Sequence, residues 1–309
     1  NGKEHYRKYC EPLMPQFSFV PFNDMETIRR AVTDDTAAII IEPVQGEAGI
    51  FVAKEEYLRG LRHLCDERNI ILIFDEVQTG FGRTGKFFAC EHFGVTPDIL
   101  AMAKSIGGGI FPNGAVLYRD RDILTDFVCR NPQFHPTYTG GSDLGCFISL
   151  KVIDYIMDNN LPVRAAFNGR KLKDALEKLR LENPKIIREV RGIGMMVGIE
   201  YIHEFLGPMM SDALAKNGIF AAYSGNAPQV MRFMLPIVAD EEDVDEVIRA
   251  IGRSVESMKM LLPIALPAAK IPGVLKLLNS ERVQTVVFNW IRSVEDFFSR
   301  FNRKQRSSI

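Results

Sequence analysis

Two short apolar runs, Ala37 to Ile41 and Ile70 to Phe74, each end on an acid: Glu42 followed by Pro43 in the first, Asp75 followed by Glu76 in the second. An unbroken apolar run of this length is the pattern of a strand buried in a parallel sheet. Between the two, residues 54–69 carry Tyr57, Leu58, Leu61 and Leu64 at helical spacing with charged residues opposite. The order strand, helix, strand predicts an α/β layer with a mainly parallel sheet, and such sheets bind ligands at the carboxyl ends of their strands. A further run over 98–104 leads into Gly107, Gly108 and Gly109, and 115–118 is one more apolar stretch.

The character changes from about Ser142, where one long helical pattern reaches Asp158 and a second covers 162–181. Val197 to Tyr201, after Gly192 and Gly194, and Met231 to Phe233 read as strands, with an acidic helix start at Asp240. These features predict a large domain over 1–149, a smaller α+β domain over 150–257 and a helical extension over 258–309. The extension opens with Pro263, Pro267 and Pro272, then carries Val283, Val287, Trp290, Val294, Phe297 and Phe301 on one helical stripe, which suits docking on the protein body or a partner.

Charge excludes several classes of partner. With 38 basic and 39 acidic residues the chain presents no one-sign field for a nucleic acid, and no apolar run reaches the roughly 20 residues of a membrane span. Five cysteines are widely spaced and include no CxxC pair, which predicts thiols in a cytoplasmic protein rather than a disulfide framework or a zinc site. The histidines have no metal-ligand spacing, so no metal is expected.

The residues that carry chemistry lie in FDEVQTGFGRTG, 74–85, and in AKSIGGG, 103–109, with Lys104 placed 29 positions after Asp75. Singly, an aspartate or a lysine is usually a solvated surface charge. An acid at one strand end and an amine at the next can instead face a common crevice. That pair suits pyridoxal 5'-phosphate: the amine bonds the aldehyde, and the carboxylate keeps the pyridine nitrogen protonated so that the ring accepts electrons from a broken Cα–H bond. The segment Gly80 to Lys86 also satisfies GxxxxGK, but Phe87 follows where a phosphate-binding loop needs a magnesium-binding hydroxyl.

Over about residues 5–257 the sequence resembles the class III aminotransferases, the ornithine, acetylornithine and putrescine type, with the putrescine enzymes most similar. The matching segments are IIIEPVQGEAG at 39–49, residues 64–109 around both motifs, NGAVL at 113–117, VRGIGMMVGIEY at 190–201 and MRFMLPI at 231–237. The resemblance implies a fold type I transferase, a homodimer, with pyridoxal 5'-phosphate as cofactor. It implies Lys104 as the Schiff-base lysine and proton-moving base, Asp75 as partner of the ring nitrogen, Val77 packed on a ring face and Gln78 on the ring hydroxyl. It further implies that Glu47 pairs with Arg232 and swings away when Arg232 grips a substrate carboxylate. The reaction implied moves an amino group from an ω-amine or amino acid to a 2-oxo acid such as 2-oxoglutarate. An aminomutase or racemase on the same fold, distinguished by whether an external oxo acid is consumed, and a non-catalytic module are the alternatives.

Two departures stand out. Where the family has a run of threonines whose last hydroxyl reaches the cofactor phosphate of the neighbouring subunit, this chain reads His135-Pro136-Thr137-Tyr138-Thr139, which leaves Thr137, Tyr138 and Thr139 as candidates. Leu235 replaces the first of two prolines after the arginine. The family's phosphate-cradling turn and ring-stacking aromatic match positions upstream of Asn1. The resemblance therefore predicts roughly 130 further N-terminal residues and weak cofactor binding by the chain alone.

Overall fold

The structure, a computed structural model, describes residues 7–269 apart from 133, 135, 136 and 138. Helix α1 (Met25–Ala31) is capped by Asp24, whose side chain accepts from Thr27 N. It is followed by β1 (Ala38–Ile41), the short pair β2 (Val44–Gln45) and β3 (Phe51–Val52) around the single turn α2 (Gly46–Gly49), then α3 (Glu55–Glu67) and β4 (Ile71–Asp75). After the turn α4 (Cys90–Phe93) come β5 (Ile99–Met102) and β6 (Ala115–Tyr118). The sheet order is β1-β4-β5-β6, with β1, β4 and β5 parallel and β6 antiparallel at the edge. Residues 103–114, which join β5 to β6, contain only a 3-10 turn and glycines, so the chain reverses instead of crossing over.

Leu58 and Leu61 of α3 pack with Ile41, Leu72 and Phe74, the core that the apolar runs predict. The strands are less completely covered than that pattern suggests. Among the described residues Ile40 of β1 and Val116 of β6 are exposed, while β4 and β5 alternate buried with half-buried positions.

Helices α5 (Asp122–Arg130), α6 (Asp143–Asp158, capped by Ser142) and α7 (Leu161–Glu182) lead to a second sheet. It consists of β7 (Ile187–Ile193), β8 (Met196–Tyr201), β9 (Ala222–Ser224) and β10 (Ala227–Phe233), antiparallel throughout in the order β7-β8-β10-β9, with α8 (Leu206–Lys216) before β9. Helix α9 (Glu241–Ala269) continues through Pro263 and Pro267. The division expected at 257/258 therefore lies inside one helix. Among the described residues, compact packing divides the chain between Ser254 and Val255, a split that also falls within α9. The aromatic stripe from Val283 to Phe301 lies outside the described residues.

The parallel strands are fixed at their amino ends by Asp98. This buried carboxylate accepts from Leu72 N at 2.8 Å and from Arg62 Nη1 at 2.9 Å, and pairs with Arg121 at 3.0 Å. Burial opposes its ionisation, but the Leu72 amide and the Arg62 guanidinium outweigh that and hold the carboxyl below the usual carboxylate range. A group whose folded pKa is depressed stabilises the fold above its unfolded value of about 4, and the contribution is lost as pH falls through the folded value. Asp98→Asn should cost about 3–5 kcal/mol at neutral pH, because it removes the buried charge that Arg62 and Arg121 share and leaves Arg62 only its more exposed partner Asp66. Part of that deficit should disappear as pH falls from about 4 toward the lower folded value, where the wild type loses the same charge. Urea denaturation of both proteins at two pH values measures it, and equal deficits at both would contradict the assigned role.

Candidate active site

Asp75 is the last residue of β4 and stands opposite Ala101 of β5; β5 ends at Met102, and Lys104 opens the 3-10 turn that follows. Strand register alone thus brings the acid and the amine to one sheet edge. Lys104 has φ +49°, the left-handed region that a non-glycine residue seldom occupies, and such backbone is often found at functional sites. Its side chain is exposed and makes no hydrogen bond or ion pair among the described residues. One oxygen of Asp75, Oδ1, accepts from Val77 N at 3.0 Å, and the other accepts from no described group.

Glu42, which directly follows β1 one strand away, joins them. Its Oε2 accepts from Gly46 N at 3.3 Å. Burial pushes its carboxyl up; the Gly46 amide and Lys104 act against this, and the negative charges of Asp75 and Glu47 reinforce it. Three neighbouring strand ends therefore present two acids and an amine to a common space. The sequence motifs assign Glu42 no chemical role. Its signal is in the pattern all the same, since it closes its apolar run as Asp75 closes the next.

The residue after Asp75 turns the other way. Glu76 is fully buried, and accepts from Ala89 N at 2.6 Å, Cys90 N at 2.8 Å and Thr79 Oγ1 at 3.0 Å. Burial raises its carboxyl, with these bonds acting against the rise. The effect is to close residues 77–89 into a fixed loop. Within it, Val77 and Gln78 are half-buried, and the Gln78 carboxamide lies over Gly46, where a Cβ would fall 1.5 Å from Oε1. The glycines of the GxxxxGK stretch serve packing, since Gly82 lies against Pro162 and Gly85 against Ala166, both of α7.

Glu47, on α2, forms an ion pair with Arg232 Nη1 of β10, as the resemblance implies. Arg232 is largely buried and Glu47 is largely exposed. The Arg232 Nε is buried and unbonded among the described residues, so the guanidinium retains donor capacity. Thr137 and Thr139 are exposed in the loop before α6, Thr137 packing on Gly140 and Thr139 O accepting from Ser142 N. Tyr138 lies outside the described residues.

The profile of the family described as Aminotransferase class-III matches residues 1–255. The chain belongs to the class III aminotransferases. It is 37% identical over 255 residues to an uncharacterized aminotransferase of Archaeoglobus fulgidus, a match that covers 82% of this chain and 59% of the relative. Among solved structures it resembles ornithine aminotransferase from Toxoplasma gondii, crystallized with partial pyridoxal phosphate occupancy (TM-score 0.75, 31% identity, 81% of this chain and 58% of that one). It also resembles acetylornithine aminotransferase from Elizabethkingia anophelis (TM-score 0.73, 32% identity, 79% and 61%). The architecture is that of the fold type I enzymes, and this chain spans about three fifths of the length of these relatives.

Class III aminotransferases depend on pyridoxal phosphate. The residues at these strand ends fit the ring end of that group. A carboxylate with one unengaged oxygen can accept from a pyridinium N–H, and a primary amine with no competing partner stands at the next strand end.

Proposed function

We propose that the complete protein is an aminotransferase that moves an amino group from an ω-amine or amino acid, of the ornithine, acetylornithine or putrescine kind, to a 2-oxo acid such as 2-oxoglutarate. The observation that carries the reading is the meeting of Asp75 and Lys104 at the carboxyl ends of adjacent parallel strands. Pyridoxal phosphate, when bound, supplies an aldehyde carbon that bonds to amines and a ring that accepts an electron pair. Asp75 would hold the proton on the ring nitrogen, with its carboxylate fixed by the Val77 amide. Lys104 would bond the aldehyde carbon at rest and, once displaced by the substrate amine, would move a proton between substrate Cα and the carbon it has just left. Gln78 would meet the ring hydroxyl and Val77 a ring face; Thr137, Tyr138 and Thr139 are the candidates for the phosphate of a second protomer in a homodimer. We place the protein in the cytoplasm on its widely spaced cysteines, and no described helix is long and apolar enough to cross a membrane.

Glu47 and Arg232 would let one site take two kinds of substrate. With Glu47 on Arg232 the site suits an amine end that has no carboxylate. With Glu47 turned away, Arg232 offers a two-pronged grip to the α-carboxylate of an oxo acid. Arg232→Ala should weaken 2-oxoglutarate recognition by about 2–4 kcal/mol and affect the diamine half-reaction less. Glu47→Gln should favour donors with an α-carboxylate over plain diamines. Single-turnover rates of each half-reaction in the complete, cofactor-loaded protein provide the test. Equal losses in both halves for Arg232→Ala would make Arg232 a residue of the fold or the cofactor site and end the switch.

A further inference from the structure

The register of the second sheet places two arginines in one row. Arg191 of β7 lies opposite Gly198 of β8, and Gly198 lies opposite Arg232 of β10, so all three positions project on the same face. Gly198 has no side chain, and its vacant place holds the loop that carries Glu47: a Cβ on Gly198 would stand 3.2 Å from Ile50 Cβ and 3.4 Å from Gly49 O. The loop thus lies on the row between the two guanidiniums.

Arg232 takes the side chain of this loop, at Glu47. Arg191 takes its main chain. The Arg191 Nε donates to Gly49 O at 2.8 Å, its guanidinium stacks 4.0 Å over the Phe51 ring, and Nη1 is held at 2.7 Å by both Glu189 and Glu200. A second grip comes from β9, where the buried Ser224 donates its hydroxyl to Glu47 O. Gly46 N is taken by Glu42, and Ile50 is fully buried with Val44 and Met196. Every residue from Gly46 to Ile50 except Ala48 is therefore held by its backbone or buried, while the Glu47 carboxylate alone reaches the open site.

We infer that Arg191 and Ser224 are positioning residues for substrate selection: they fix the Glu47 main chain so that Arg232 is masked or uncovered by side-chain rotation of Glu47 alone. The inference rests on the Glu47–Arg232 switch proposed above. A fixed backbone keeps the carboxylate within reach of Arg232 in the masked state. Loosening either anchor adds loop conformers in which Glu47 no longer meets Arg232, and the mask weakens. Lysine at 191 keeps the charge but lacks the planar fork that serves Gly49 O and two carboxylates together, so it isolates this function from the loss of charge.

The test compares kcat/KM of the complete, cofactor-loaded protein for two donors, a plain diamine and a diamine bearing an α-carboxylate. Arg191→Lys and Ser224→Ala should each shift the ratio toward the carboxylate-bearing donor by roughly 3- to 30-fold, the same direction as Glu47→Gln. Combined with Glu47→Gln, neither should move the ratio further, since both act through Glu47. Thermal melts identify any variant that fails to fold, and Ser224→Ala, which removes a single hydroxyl, keeps the question answerable if Arg191→Lys does not. Equal losses for both donors, or an additive shift on the Glu47→Gln background, would overturn the assignment. If Glu47→Gln itself left the ratio unchanged, the switch would fall. If Glu47→Gln shifted the ratio while Arg191→Lys and Ser224→Ala did not, only the positioning role would fall.

Discussion

Replacing Lys104 with alanine in the complete protein should lower turnover by about 10²- to 10⁴-fold from loss of the proton-moving base alone, and further because covalent attachment of the cofactor goes with it. The amine stands at a strand end beside Asp75 and within electrostatic range of Glu42, with no described partner to occupy it. Borohydride treatment of the cofactor-loaded wild type, followed by peptide mapping, should place the pyridoxyl label on Lys104 and nowhere else. An exogenous amine should restore part of the proton transfer in Lys104→Ala but not the label. A label on Lys86, which lies in the packing loop against α7, would overturn the assignment.

Asp75→Asn should be nearly as damaging for a different reason. The amide oxygen can still accept from Val77 N, so the loop geometry survives and the lysine adduct should still form. What disappears is the fixed negative charge that would keep the ring nitrogen protonated. Removal of one preorganised electrostatic partner typically costs about 10²- to 10³-fold in turnover. The proton-abstraction step should slow by that factor, while mapping by borohydride still finds Lys104. Near-normal turnover in Asp75→Asn would remove Asp75 from the chemistry.

Much of this site can be read from the chain because its parts sit at the ends of strongly patterned strands. The unbroken apolar runs before Asp75 and Lys104 mark β4 and β5, and the helical spacing of Leu58, Leu61 and Leu64 marks the crossover α3 between β1 and β4. Elements whose pattern is mixed are not legible in this way. Strand β7 reads IREVRGI and carries three charged residues, of which Arg188 and Arg191 find their partner, Glu200, on the neighbouring strand. Helix α8 contains Gly207 and Pro208 in its first turn, so its start looks like a loop. Pro263 and Pro267 suggest a break, yet α9 runs through both; four residues apart, they lie on one side of the helix and confine the missing donors there. The row Arg191, Gly198, Arg232 is invisible without register, because it joins residues from three strands that sequence distance keeps apart.

The tip of the β7–β8 hairpin is wedged between two pieces of main chain. A Cβ on Gly194 would fall 2.3 Å from the Thr84 carbonyl carbon, and one on Gly169 of α7 would fall 2.0 Å from Gly194 O, while Met195 N donates to Arg83 O at 2.9 Å. Three backbones thus touch where most proteins interpose side chains, and no larger residue could be accommodated at either glycine by repacking a neighbour. In the vocabulary of inheritance, the segment that follows Asp75 is tied to the second sheet by an identity that cannot drift. Ordinary core positions exchange leucine for methionine and survive, but this seam has no synonym, so a lineage could remodel the donor pocket around it for as long as those two positions stayed blank.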